Sequence, residues 1–404
     1  MKQLLQLLMQ HKRLICWVLL FFFSAVLKVY IPTSIIPELF IVFLFVYRIT
    51  NPVSHSLCII PTRAILVWWL FFIYFILVAV VTHFGDDGSG FFYENYRLLT
   101  FLLITFLLGS SRIDYLSFAK ICLWCCRFHI FFTVMELVFL TIISFGDFYS
   151  VPLVGKAMPE FEEGTGYLLQ NDNMISFGFR PFGLMLQPQK TGFVFVVGAV
   201  LEYIIAVVEE RKPSMFWNTL FVAISIFQGA KTALLMLFFI EAAVFVNFYP
   251  SKKRTFLGIA FYITVVIAIL YIIMHNIALS DLGNDTNARV LDDIKGFFSY
   301  GPFAALFGIG TPLWKDMMAH GFSGECYLVR IFCNWGIPFT IFLFYYLSKI
   351  LFSKERKMNY ILFVAFFGML YHYCVINVYF IALAFSSAIC LALYYDKNRA
   401  MIIK

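Results

Sequence analysis

Residues 64–83 read AILVWWLFFIYFILVAVVTH, and no Asp, Glu, Lys or Arg interrupts them. A helix of about 20 apolar residues spans the hydrocarbon core of a bilayer. The surroundings of this run match it. The chain of 404 residues is 62% hydrophobic and 13% charged, with 51 phenylalanines. Soluble domains carry roughly 25% charged residues, so the solvent for most of this surface is lipid. The net charge of +7 is scattered between apolar runs. No free-standing basic face with interleaved aromatics is left for nucleic acid.

Working outward from 64–83, about twelve apolar runs are long enough to be read as spans: 14–30, 35–47, 64–83, 96–110, 118–145, 190–208, 215–229, 231–249, 255–275, 326–351, 359–375 and 377–395. The second is short and carries Pro37 and Glu38, and the junction around Tyr371 to Asn377 is indistinct. The expectation is an all-α polytopic membrane protein, with residues 1–404 forming a single integral membrane domain. The basic start of MKQLLQLLMQHKRLICWVLLFFFSAVLKVY resembles a signal peptide. Its apolar run is long and has no clear small-residue cleavage site, which predicts an uncleaved first helix.

Lys and Arg mark every second connector: Lys2, Lys12 and Arg13; Arg48 and Arg63; Arg112 and Lys120; Arg211 and Lys212; Lys252, Lys253 and Arg254; Lys354, Arg356 and Lys357; Lys397, Arg399 and Lys404. The connectors between them are acidic or mixed, as in HFGDDGSGFFYENY. Basic connectors stay in the cytoplasm, so an even number of spans with both termini inside is expected. Two outward connectors are long, 146–189 and 276–325. Loops of that length are functional or disordered. These carry aromatics, prolines and glycines at irregular spacing, and ARVLDDIKGFF (288–298) has the pattern of a short amphipathic helix.

Of the nine cysteines, most lie within apolar runs; Cys122 and Cys125 have CxxC spacing beside Cys126. No second ligand pair accompanies them, and small packing residues are the expected role. No P-loop, nucleophile-elbow or HExxH pattern occurs, so neither a metal nor a nucleotide cofactor is implied.

The polar residues that stand out lie at the connectors. Arg180 and Arg289 occupy the two long outer connectors, and each is followed at the same interval by a glycine, Gly192 and Gly301. The guanidinium fork binds phosphate oxygens in pairs and stays charged. Two such loops facing each other would make an anion site, whereas isolated interfacial arginines would snorkel to headgroups. Lys231, in IFQGAKTALL, is a third cation or an ordinary helix-end lysine. Lys190 and Arg330 flank outer helix ends.

Four titratable groups accompany them: Asp292, Asp293, His320 and Glu325. Adjacent Asp292 and Asp293 diverge on a helix, and solvation is the expected role. Glu325, in HGFSGECYLVRIF, stands at the start of a span, where a helix N-terminus favours a carboxylate. Glu325 or His320 could take a proton from a hydroxyl.

Glu136, Glu202 and Glu241 lie inside apolar runs. Such acids face the protein interior, where they relay protons or pair, for example with Arg127. Pairing is expected, because no span shows the paired Gly/Pro breaks of a transporter.

This layout resembles the bacterial polysaccharide polymerases of the O-antigen polymerase (Wzy) type and, more distantly, the O-antigen ligases. FRPFGLMLQPQKTG (179–192) is similar to the arginine-containing end of the family's first large loop. NARVLDDIKGFFSYGPFAALFGIG (287–310) is similar to its second-loop pattern of arginine, amphipathic helix and G-x-G. ECYLVRIFCNWGIPFTIF (325–342) is similar to the span that follows, and in QGAKTALL Lys231 stands where relatives show an arginine.

The resemblance implies a glycosyltransferase of the inner membrane, acting at its periplasmic face on oligosaccharides linked to undecaprenyl diphosphate. Arg180, Arg289 and Lys231 would hold the diphosphate. Glu325, or else His320, would be the base. No cofactor or metal is implied, and a chain-length regulator would be a protein partner. A ligase would carry a histidine motif where this chain reads GECYL (324–328). A twelve-span flippase or transporter would instead place its working charges in mid-membrane.

Overall fold

The computed structural model describes residues 12–30, 36–50, 59–60, 63–82, 89–111, 113–142, 183–185, 188–228, 231–248, 291–308, 327–371 and 378–402. These are almost entirely helical, with no strand among them. In chain order the helices are α1 (Lys12–Phe22), α2 (Ser24–Tyr30), α3 (Ile36–Thr50), α4 (Arg63–Thr82), α5 (Ser89–Gly109) and α6 (Tyr115–Ile142). A 3-10 turn, Gly183–Met185, precedes α7 (Pro188–Val208), α8 (Met215–Gln228) and α9 (Lys231–Phe248). Next come α10 (291–299) and α11 (Pro302–Phe307). The last four are α12 (Tyr327–Trp335), α13 (Ile337–Leu351), α14 (Arg356–Tyr371) and α15 (Tyr379–Ile402). The span expected at 255–275 lies outside the described residues.

Helix α7 is the hub. It packs on α6, α8, α9, α14 and α15, and its residues from Phe193 to Ala206 are buried on every side. A helix that is apolar all round suits that position. Gly198 allows the close approach, since a methyl there would stand 2.7 Å from the Phe221 ring. Helix α15 completes the core against α1, α5, α6 and α7, and Thr105 and Ser386 share a 2.7 Å hydrogen bond between α5 and α15.

Outer helices present greasy stripes to the surroundings. On α4, Leu66, Trp69, Leu70, Ile73 and Leu77 are exposed, while Trp68 and Phe71 point inward. Leu39, Val42, Phe43 and Val46 do the same on α3. Water would penalise such stripes and lipid does not, so this is a membrane-embedded protein. Tyr115–Glu136, Lys190–Val208 and Tyr379–Arg399 are long and apolar enough to cross a bilayer, and the bent pair α12–α13 makes a fourth candidate. Leu99–Gly109, Met215–Ile226 and Thr232–Phe248 are shorter apolar helices.

The run 326–351, read from sequence as one span, is broken. Helices α12 and α13 meet at 120°. Gly336 supplies the corner with φ +75°, and Pro338 follows in the first turn of α13. Apolar periodicity is blind to such a corner, because both arms are mostly apolar. The expectation of unbroken spans is therefore corrected at this position.

Candidate functional site

The first long connector returns to the bundle at Gly183–Met185. This turn packs against α2, α6 and α7, burying Leu184 and Met185. The Gly183 N–H donates to Glu136 Oε2 at 2.7 Å. Gly183 adopts φ +57°, and a Cβ on it would stand 2.7 Å from His129 Nε2 and 2.9 Å from Thr191 Cγ2. His129 and Thr191 lie 3.3 Å apart across α6 and α7. Glu136, one of the three intramembrane acids, thus holds a loop end.

Part of the second long connector forms α10 and α11. The inward face of α10 is Asp293, Gly296 and Phe297, at helical spacing. Phe297 packs with Val329 and Cys333 of α12. Asp293, expected to be solvated, is fully buried. Asp292 is exposed and lies 3.9 Å from Lys295. Leu291, Ile294 and Phe298 of α10 and Phe303, Leu306 and Phe307 of α11 are all exposed. The amphipathic pattern is turned round, with the acid inside and the greasy face outward, as suits an element resting in lipid.

Helix α11 is fastened from two sides. Tyr74 of α4 donates to the Phe307 carbonyl at 2.9 Å and approaches that of Trp335 at 3.4 Å. Gly336 lets the corner of α12–α13 press against the Leu306 carbonyl, where any Cβ would collide.

Both connectors meet the bundle at the same end. Ser353 and Lys354, just past α13, contact Asp396 late in α15. Helix α13 therefore begins at the end where α15 begins. That start of α15 faces α1 and the second half of α6, where Phe22 packs on both Phe380 and His129. The Gly183 turn sits there too.

At the other end lies an ion cluster. Glu202 of α7, fully buried, accepts from Arg127 of α6 and from Arg211 at 2.7 Å each, and from the Ser214 N–H at 2.8 Å. Arg127 also lies over the Trp124 and Trp217 rings, at 5.0 and 4.8 Å. Glu209 pairs with Lys120 at 2.5 Å and with Arg211 at 2.7 Å. Burial raises the Glu209 carboxyl, but the bonds from Lys120 and Arg211 outweigh it and the net shift is downward. Burial lowers the Arg211 guanidinium while Glu202 and Glu209 raise it further, leaving it above its ordinary value. The pairing expected among the buried acids, with Arg127 as the example, is present at Glu202, with Arg211 added. Glu241 of α9 is buried beside Asn218 of α8.

Comparison with protein-family models, with curated proteins and with solved structures gives no match to this chain.

Of the residues singled out from sequence for the anion site, Lys231 is the first residue of α9. Arg180, Arg289, His320 and Glu325 lie outside the described residues. Sequence reasoning gave the burial of Asp293 no weight. The signal for it was present: Asp293 and Phe297 are four apart and share a face.

Proposed function

We propose that the chain is a polysaccharide polymerase of the bacterial inner membrane, working at the periplasmic face on oligosaccharide units linked to undecaprenyl diphosphate. The observation that carries this reading is the convergence of the two long connectors on one end of an apolar bundle. A lipid-linked diphosphate needs cations beside a greasy body, and Arg180 and Arg289 belong to these two connectors.

In this reading the loop cations Arg180 and Arg289, with Lys231, neutralise the diphosphate of the donor. A hydroxyl of the incoming lipid-linked unit attacks the donor's anomeric carbon, and its proton passes to Glu325 or His320. The new C–O bond forms as the sugar–phosphate bond breaks, and the lipid diphosphate departs with the electron pair. About twelve spans, with both termini in the cytoplasm, complete the arrangement.

The rival flippase or transporter reading draws on the corner at Gly336, since discontinuous helices line transport sites. The strongest buried acid speaks against it, because Glu202 is engaged by two arginines and a backbone amide. Deleting the gene and separating the surface polysaccharide on a gel distinguishes the readings. Loss of a polymerase leaves lipid A-core bearing a single repeat unit. Loss of every repeat unit points to a flippase or ligase.

A further inference from the structure

Glu136 has a role that neither the diphosphate site nor the proton transfer uses. It closes the membrane-capable stretch Tyr115–Glu136 of α6. Its Oε2 receives the backbone N–H of Gly183, where the described chain resumes after the first long connector. At 2.7 Å, this is a short, well-formed hydrogen bond from a backbone amide to a carboxyl oxygen. The contact is reinforced on both sides. Gly183 lies too close to His129 and Thr191 for any side chain, and its φ of +57° suits glycine. Leu184 and Met185 then bury themselves against the bundle. The turn is thus held by a carboxylate, by a close backbone approach and by two apolar anchors. Arg180 stands three residues earlier in the sequence.

We propose that Glu136 is a positioning residue: it latches the returning end of the first long connector onto α6 and so fixes the anchor from which the Arg180 segment departs. The functional consequence rests on the polymerase reading; the latch itself does not.

Amide hydrogen–deuterium exchange on the full-length protein in lipid nanodiscs reads the latch directly, in the peptide covering 183–185. Glu136→Ala is expected to speed that exchange about tenfold, with α7 and α15 unchanged. Glu136→Gln keeps an acceptor oxygen and is expected to stay near wild type. Glu136→Asp keeps the charge but falls a methylene short, and is expected to match Glu136→Ala. It serves as the second variant should Glu136→Ala not accumulate. Unchanged exchange in both shortened variants overturns the latch.

Surface polysaccharide length, at matched membrane abundance, reads the consequence. Short chains with Glu136→Asp and full chains with Glu136→Gln support positioning. Faster exchange with full-length chains overturns positioning while Arg180→Ala still shortens them. If Arg180→Ala also leaves the chains long, it is the diphosphate-site reading that fails.

Discussion

Arg127 on α6 and Glu202 on α7 meet at 2.7 Å inside the bundle, with the guanidinium lying over two indole rings. The glutamate is fully buried and the arginine nearly so. Removing one member of such a pair leaves a charge stranded, at a cost of about 3–5 kcal/mol. Arg127→Leu and Glu202→Leu should each lower the thermal unfolding midpoint of the detergent-solubilised protein sharply. The double variant should lose clearly less than the sum of the two. Additive losses would show that the pair is not coupled.

The neighbouring Glu209 gives this end of the bundle a pH dependence. Its folded-state pKa is depressed, so its contribution is present above the unfolded carboxyl pKa and is lost as pH falls through the folded value. Wild type should therefore unfold at a higher temperature than Glu209→Gln near neutrality. The two melting curves should converge in acid. Calorimetry or fluorescence melting across an acid-to-neutral series checks this, and a constant difference across the series would contradict it.

Two substitutions probe the attachment of α11. Tyr74→Phe removes the hydroxyl bonded to the Phe307 carbonyl while keeping the ring stacked on Phe339. It should cost about 0.5–1.5 kcal/mol of stability. Gly336→Ala places a methyl against the Leu306 carbonyl at a positive φ, and should cost more, about 1–3 kcal/mol from backbone strain before any displacement of α11. Protease sensitivity around 302–308 reports both, and Gly336→Ala should be cleaved faster than Tyr74→Phe.

The helices were legible because their apolar runs are long and carry little charge. Arg63–Thr82, Pro188–Val208 and Lys231–Phe248 fall within two residues of the runs 64–83, 190–208 and 231–249. The corner at Gly336 was not legible, since Gly-Ile-Pro inside a greasy run reads as a tolerated interruption. The position of Asp293 was missed for a different reason. Sequence logic for water puts Leu291, Ile294 and Phe298 inside and the acid outside, but in lipid those apolar side chains lose nothing by facing outward. The pairing of Glu202 with Arg127 was foreseeable, because a buried acid needs a cation and few lie at membrane depth. Of the anion-site candidates, only the backbone position of Lys231, at the start of α9, falls within the described residues.

The cations of the long connectors are expected to differ in how they fail. Arg289→Ala should slow polymerisation roughly 10²-fold, the scale of losing one preorganised charge-stabilising group. Arg289→Lys should recover part of that loss, because charge remains while the bidentate fork is gone. Lys231→Ala should fall between wild type and Arg289→Ala. Chain-length distributions at matched membrane abundance give the ranking.

Joining lipid-linked units to one another is the activity proposed for this chain, and it can be assayed directly. The purified protein, reconstituted in liposomes, can be given the undecaprenyl-diphosphate-linked repeat units that accumulate in the deletion strain, with no nucleotide sugar added. A ladder of lengthening lipid-linked glycans is expected, collapsing to single units with Arg289→Ala. Single units persisting with the wild-type protein, or an undiminished ladder with Arg289→Ala, would contradict it.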